Sequence, residues 1–168
     1  EIGRIFRNEG QSREHLQDYT QLESYEAYAD VKSGMEMTRD LFRHVAERVY
    51  GKTVFKVNGH SFDLASDWKT IDFSTVVEER FGVNPIFCRE KDAIVAAEKA
   101  GIDVGEGANK SRAVDALWKQ IRKGISGPVF LTGVPVYLEP LAKRDVKNPE
   151  TVERMQIILA GSELAKGY

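Results

Sequence analysis

The sequence predicts an α+β domain built on a largely antiparallel sheet, and three observations carry that prediction. Short apolar alternations stand at both ends of the chain, an Asn58-Gly59 pair links two strand-like runs, and the helical periods cluster instead of alternating regularly with strands. A chain of 168 residues is long enough to bury one sizeable core. Hydrophobic residues at 42%, charged residues at 30% and a net charge of -2 exclude a disordered tail, a collagen-like repeat or an apolar membrane span. Basic and acidic residues nearly balance, 24 against 26, so no global footprint for nucleic acid exists and only a local patch stays open. Cys88 is alone, which forbids an intrachain disulfide and points to a reducing, cytoplasmic setting. The opening residues lack the order of a secretory signal. Both ends stand directly against apolar runs, which predicts a piece of a longer protein.

The elements follow in order. Ile2 to Glu9 alternates as a strand should, a polar stretch from Gly10 to Asp18 follows, and a second strand-like run covers Tyr19 to Ala29. Together they predict an antiparallel pair with a long loop, longer than most hairpin loops. Asp30 to Tyr50 is helical, because Leu41, Val45 and Val49 recur every fourth residue beside Phe42. Thr53 to Val57 and Ser61 to Leu64 form a hairpin around Asn58-Gly59. Asp72 or Ser74 caps a short helix through Arg80, with Gly82 just beyond it. Two helical runs, Glu90 to Ala100 and Ser111 to Lys123, lie within 85–125, which reads as a helical insertion. Gly127 to Thr132 returns to strand, Asn148-Pro149-Glu150 starts a short helix, and Ile157 to Ala160 is the last strand. Trp68 and Trp118 are core candidates, and neither His44 nor His60 shows an evident partner.

Chemistry gathers on the first two strands. Side chains two apart share a face, so Arg7 and Glu9 lie together on one strand, and Tyr19, Gln21, Glu23 and Tyr25 on the other. Such a face is either a solvated outer surface or a binding surface, and pattern alone leaves both open. As a binding surface it suits a nucleotide plus an amine-bearing substrate. Arg7 can grip phosphate or carboxylate, Glu9 can accept from an exocyclic amine, Tyr19 can stack, and Glu23 can hold an ammonium group. Arg13 and His15 can close over phosphates. No glycine-rich phosphate loop is present, so ATP would be held by arginine and metal. Near the end, Gly161 and Ala165 flank Glu163, leaving room beside a carboxylate for a ligand or for Mg²⁺; a plain edge-strand carboxylate reads equally well.

Three runs carry a resemblance. Phe6-Arg7-Asn8-Glu9-Gly10, the loop with His15, and Tyr19-Thr20-Gln21-Leu22-Glu23-Ser24-Tyr25-Glu26 through Asp30 resemble motif 2 of the class II lysyl-tRNA synthetases. Leu138-Glu139-Pro140-Leu141-Ala142-Lys143 with Asn148-Pro149-Glu150, and Gly161-Ser162-Glu163-Leu164, look like the approach to motif 3 of the same family. The resemblance implies that 1–168 is part of a class II catalytic domain, an antiparallel β-sheet flanked by helices and carrying the helical insertion. It implies activation of lysine with ATP to lysyl-adenylate and transfer to tRNA(Lys), by a protein that works as a homodimer away from membranes. By position, Arg7 would bind the α-phosphate and the lysine carboxylate as the catalytic group. Glu9, Tyr19 and His15 would hold adenine and the terminal phosphates. Glu23, Tyr25, Lys166 and Tyr168 would contact lysine, and Glu163 would hold Mg²⁺.

The sequence also departs from that pattern. Gln156 stands where the family usually has a second metal carboxylate, and Lys166 where an asparagine commonly faces the lysine carboxylate. A neutral amide is the weaker Mg²⁺ ligand, and an ammonium changes how an anion is handled. Motif 1, the motif 3 arginine and an anticodon-binding domain do not occur in this stretch, so the piece alone is expected to be inactive. Two rivals follow: a synthetase paralogue (protein-lysylating, aspartyl or asparaginyl) and a non-catalytic nucleotide-binding regulatory module.

Overall fold

The protein is described from a computed structural model, which covers residues 1–8 and 15–168. Glu9 and Arg13, both expected at the nucleotide, lie outside the described residues. The chain is mixed α/β, with small sheets and four α-helices among the described residues.

Strands β1 (Ile2–Phe6) and β2 (Asp18–Leu22) pair antiparallel, Ile2 opposite Leu22 and Phe6 opposite Asp18. β2 is shorter than its apolar alternation suggested: it ends at Leu22, Glu23 still bonds to Glu1 through the backbone, and residues 24–26 leave the ladder. Helix α1 (Val31–Val45) starts where a capping box sets it. Asp30 Oδ1 accepts from the Ser33 amide at 2.8 Å, and Ser33 Oγ accepts from the Asp30 amide at 2.9 Å. One π-turn, Ala46–Tyr50, carries the chain on to Gly51. The next hairpin, β3 (Val54–Val57) and β4 (His60–Asp63), turns at Asn58-Gly59 as expected. Strand β5 (Lys69–Asp72) leads into α2 (Phe73–Phe81), where Asp72 takes the cap by accepting from the Thr75 amide at 2.8 Å. Helix α3 (Glu90–Lys99) falls within the first helical run, and α4 (Lys110–Arg122), capped by Asn109, starts and ends one residue before the second. Strands β6 (Val129–Thr132), β7 (Met155–Leu159) and β8 (Ser162–Gly167) complete the fold.

The antiparallel expectation holds for every named strand pair except one. In the four-stranded sheet, ordered β5-β6-β7-β8, β5 and β6 run parallel, with Lys69 opposite Val129. The two hairpins form separate two-stranded sheets. Two expectations are corrected. Asn148-Pro149-Glu150 starts no helix, because Thr151 and Val152 instead bridge to Pro135 and Arg144. Ile157 to Ala160 is not the last strand, because Ala160-Gly161, both at positive φ, turn the chain back into β8.

Strand β7 is buried along its whole length and divides two apolar clusters. Alternation sends Met155, Ile157 and Leu159 to one cluster, with Phe130, Phe62, Leu64 and Ala46. Trp68 packs against it, its ring 5.1 Å from Phe130 and 5.8 Å from Phe42. Ile158 joins the other cluster, with Leu131, Val77, Val114, Leu117 and Trp118. Leu117, Leu131, Ile157 and Ile158 have essentially no exposed surface, and each such side chain stabilises the fold by about 1.5–3 kcal/mol. Because α3 and α4 supply Ala93, Ala97, Ala113, Val114 and Leu117, the helical segment shares its core with the strands.

Candidate functional site

The β1–β2 register places Arg7, Tyr19, Gln21 and Glu23 on one face of the hairpin. The ladder runs on past Phe6, since the Arg7 amide donates to the Gln17 carbonyl at 2.9 Å. On that face the Arg7 guanidinium lies 5.8 Å from the Tyr19 ring centroid. Tyr19 Oη donates to Gln21 Oε1 at 3.2 Å, and Gln21 Nε2 donates to Glu23 Oε1 at 2.7 Å. A polar chain therefore joins the expected nucleotide end to the expected amine end.

Sharing a face is not the same as converging. Arg7 stands opposite Gln17 while Glu23 stands opposite Glu1, a separation of roughly 20 Å along the strands. The hollow beside Glu23, about 30 Å³, is lined by Glu1, Gly3, Ile5, Gln21 and Glu23, and Arg7 is not in its wall. Tyr25 lies beyond the end of β2 and is 97% exposed, so the structure does not bring it to this face. His15 is exposed at the edge of the described residues.

The second group of expected residues surrounds a cleft of about 410 Å³ between α4 and the β7–β8 pair, large enough for a small-molecule ligand. Glu163, Lys166 and Gln156 line it. Strict alternation would put Glu163 and Lys166, three residues apart, on opposite faces of β8. A β-bulge prevents this: Ala165 pairs with Ile157 but Glu163 pairs with Ile158, leaving Leu164 without a partner in the ladder. Both charged side chains thus enter the cleft, and Ala165 packs into the opposite cluster. Ala165 therefore does not flank Glu163 on its own face, as the sequence spacing had suggested.

Glu163 Oε1 accepts from Trp118 Nε1 at 2.9 Å and lies 4.0 Å from Arg122 Nε. Arg154, nearly fully buried, forks its guanidinium between the Glu139 carboxylate and Gln156 Oε1. Burial pulls the Arg154 pKa below its ordinary value, and the Glu139 charge opposes that pull. Lys166 Nζ donates to Glu139 Oε1 at 3.0 Å, and Tyr168 Oη donates to Glu139 Oε2 at 3.3 Å. Glu139 and Arg154 had not been singled out from sequence as site residues. They sit 27 and 12 positions before Lys166, and no local spacing rule connects them.

Mg²⁺ prefers near-octahedral oxygen ligands. Gln156 Oε1 is taken by Arg154, and Glu163 is engaged by Trp118 with Arg122 nearby. No group of three or more acidic, histidine or cysteine side chains suited to a metal occurs among the described residues. The residues as arranged do not fit a protein-built Mg²⁺ site.

A family model described as tRNA synthetases class II (D, K and N) matches residues 1–168. The chain belongs to this class II synthetase family. Among curated relatives, the lysine–tRNA ligase of Carboxydothermus hydrogenoformans is 36% identical over 172 residues, covering all of this chain and 35% of the relative. The lysine–tRNA ligase of Staphylococcus saprophyticus is 33% identical over 170 residues, again covering all of this chain and 34% of the relative. That of Fervidobacterium nodosum is 31% identical over 168 residues and is covered over 33% of its length. This class II synthetase chain therefore spans about a third of the relatives it matches. No helix among its described residues is long and apolar enough to cross a membrane.

Proposed function

We propose that the protein containing this chain is a lysine–tRNA ligase, which joins lysine to ATP as lysyl-adenylate and transfers the lysyl group to tRNA(Lys). The single observation that supports it best is the polar chain Arg7–Tyr19–Gln21–Glu23 on one hairpin face. It stands in a chain whose relatives are lysine–tRNA ligases. In this reading 1–168 is part of the catalytic domain and 85–125 is an insertion within it.

Activation needs the lysine carboxylate to attack the α-phosphate and pyrophosphate to leave, with negative charge building on the phosphoryl oxygens. No covalent bond to the protein is required, so positioning and charge stabilisation provide the rate. Arg7 lies across the α-phosphate and carboxylate, Tyr19 stacks on adenine, Glu9 reads its amine and His15 approaches the terminal phosphates. Glu23 and Tyr25 contact the amino groups of lysine, and Lys166 and Tyr168 approach it from the cleft. For Tyr25 to do so, the segment after Leu22 must fold over when substrate binds, since its side chain stands in solvent. No step is assigned to Mg²⁺ on Glu163. In this reading the protein works in the cytoplasm as a homodimer.

ATP–pyrophosphate exchange by the complete protein, run with each common amino acid, tests the reading. Exchange is expected with lysine, and exchange driven by another amino acid instead would overturn the specificity. A second reading, a nucleotide-binding module without ligase activity, is favoured by the engagement of Gln156 and Glu163 with Arg154 and Trp118. Exchange with lysine would rule that reading out.

A further inference from the structure

We propose that Lys110 and Tyr137 brace the two walls of the cleft against each other from behind, and that they are positioning residues for the amino-acid half of the ligase reaction. This rests on the ligase reading and gives the helical segment α3–α4 a part in it.

The walls come from separate parts of the chain. Asn109, Ser111 and Arg112 at the start of α4 line one side, and Leu138 and Glu139 line the other. Lys110 and Tyr137 do not line the cleft themselves, yet each is next in sequence to residues that do. Lys110 stands between Asn109 and Ser111, and Tyr137 directly precedes Leu138. Lys110 Nζ lies 4.8 Å from the Tyr137 ring centroid and donates to the Ile86 carbonyl at 2.9 Å. Tyr137 Oη donates to the Pro85 carbonyl at 3.0 Å. Two adjacent carbonyls of one turn therefore hold both side chains, and the ammonium meets the face of the ring between them.

The position of each wall follows from this contact. The start of α4 is set by Asn109, which accepts from the Arg112 amide at 2.9 Å, and by the Lys110 amide, which donates to Glu90 Oε2 at 3.2 Å. Those bonds fix α4 within its own segment, whereas the Lys110 ammonium fixes it against the turn that carries Glu139. Glu139 in turn accepts from Lys166 and Tyr168, both placed at lysine in the reading above. Burial raises the Tyr137 pKa, so the phenol stays protonated and keeps donating. A loosened brace lets the walls part in the free protein. Lysine then binds from a smaller closed population, and its apparent affinity falls by that fraction.

The test takes the complete protein and its Lys110→Met, Lys110→Arg and Tyr137→Leu variants through pyrophosphate exchange and through amide hydrogen exchange read by mass spectrometry. Lys110→Met keeps the aliphatic stem, and with it the packing, but removes the charge. KM for lysine is expected to rise about three- to thirtyfold in Lys110→Met and in Tyr137→Leu, with kcat and KM for ATP moving less than about twofold. Lys110→Arg keeps a cation over the ring and recovers most of the loss. With no substrate present, amide hydrogens of 110–116 and 136–139 exchange faster in Lys110→Met while those of β7 do not change. A fall in kcat with KM for lysine unchanged would reveal a structural role alone and overturn the proposal, as would unchanged hydrogen exchange in both walls. Wild-type pyrophosphate exchange with lysine tests the ligase reading in the same assay, so the brace can fail while that reading stands. If wild type does not activate lysine, the positioning role falls with the reading, and hydrogen exchange still decides whether the brace exists.

Discussion

Replacing Gly133 by alanine tests how the fold joins β5, α2 and the chain beyond β6. Gly133 has φ +68°, a conformation that alanine adopts only with strain of about 1–2 kcal/mol. A methyl group there would also run into the Asp72 carboxylate, the group that caps α2 through the Thr75 amide at 2.8 Å. Losing an N-cap costs about 1 kcal/mol. Gly133→Ala should therefore destabilise the protein by about 2–3 kcal/mol, while Asp72→Ala alone costs about 1 kcal/mol. Once Asp72→Ala has removed the carboxylate, the alanine at 133 has no cap left to displace. The double variant should then cost about as much as Gly133→Ala alone, with a coupling of about 1 kcal/mol. Urea denaturation of the four proteins, read by tryptophan fluorescence and far-ultraviolet dichroism, measures the cycle. Additive costs in the double variant, within about 0.3 kcal/mol, would show that the alanine leaves the cap intact and refute the argument.

Further outcomes are expected. Leu117→Ala, at a position with no exposed surface, should lose about 2–5 kcal/mol in the same denaturation assay. Ala160→Gly should gain about 0.5–1 kcal/mol, because Ala160 holds φ 50° in the β7–β8 turn. Trp118→Phe keeps most of the ring bulk but removes the donor to Glu163, and should cost about 0.5–1.5 kcal/mol by thermal or urea melting. The Asp30 carboxyl lies below its ordinary pKa, first because the Ser33 amide donates to it. Its folded pKa is depressed, so its contribution is present above the unfolded value and is lost as pH falls through the folded one. Below about pH 4, wild type should therefore lose stability more steeply than Asp30→Asn, as compared by melting across an acid series.

What could be read from sequence was local. Asp72 as one of two cap candidates, Gly82 as a stop and Asn58-Gly59 as a turn are determined by atoms within a few residues, and the structure places each where it was expected, with Asp72 rather than Ser74 taking the cap. The parallel β5–β6 pair was not legible, since its partners lie sixty residues apart in the chain, Lys69 opposite Val129. Asn148-Pro149-Glu150 has a helix-start composition, yet the bridges made by Thr151 and Val152 outweighed it. The hairpin face was legible because period-two alternation survives in β1 and β2. His60, which showed no partner in the sequence, meets Ser126 Oγ at 3.0 Å from Nδ1. The carboxylate that organises the cleft was missed for the same reason as the parallel pair. Glu139 meets Lys166 and Tyr168 only after the chain has folded back through β7 and β8.

The unpaired Leu164 has a consequence for how this stretch tolerates changes in length. Removing that one residue would leave Glu163 and Lys166 two apart on an unbroken ladder, both still turned toward α4. Shortening by one more residue would turn Lys166 to the other face, opposite Ile157, and deliver glycine where the ammonium stands. At this edge of the sheet, odd and even deletions are different experiments: one irons out a kink, the other turns the binding wall inside out.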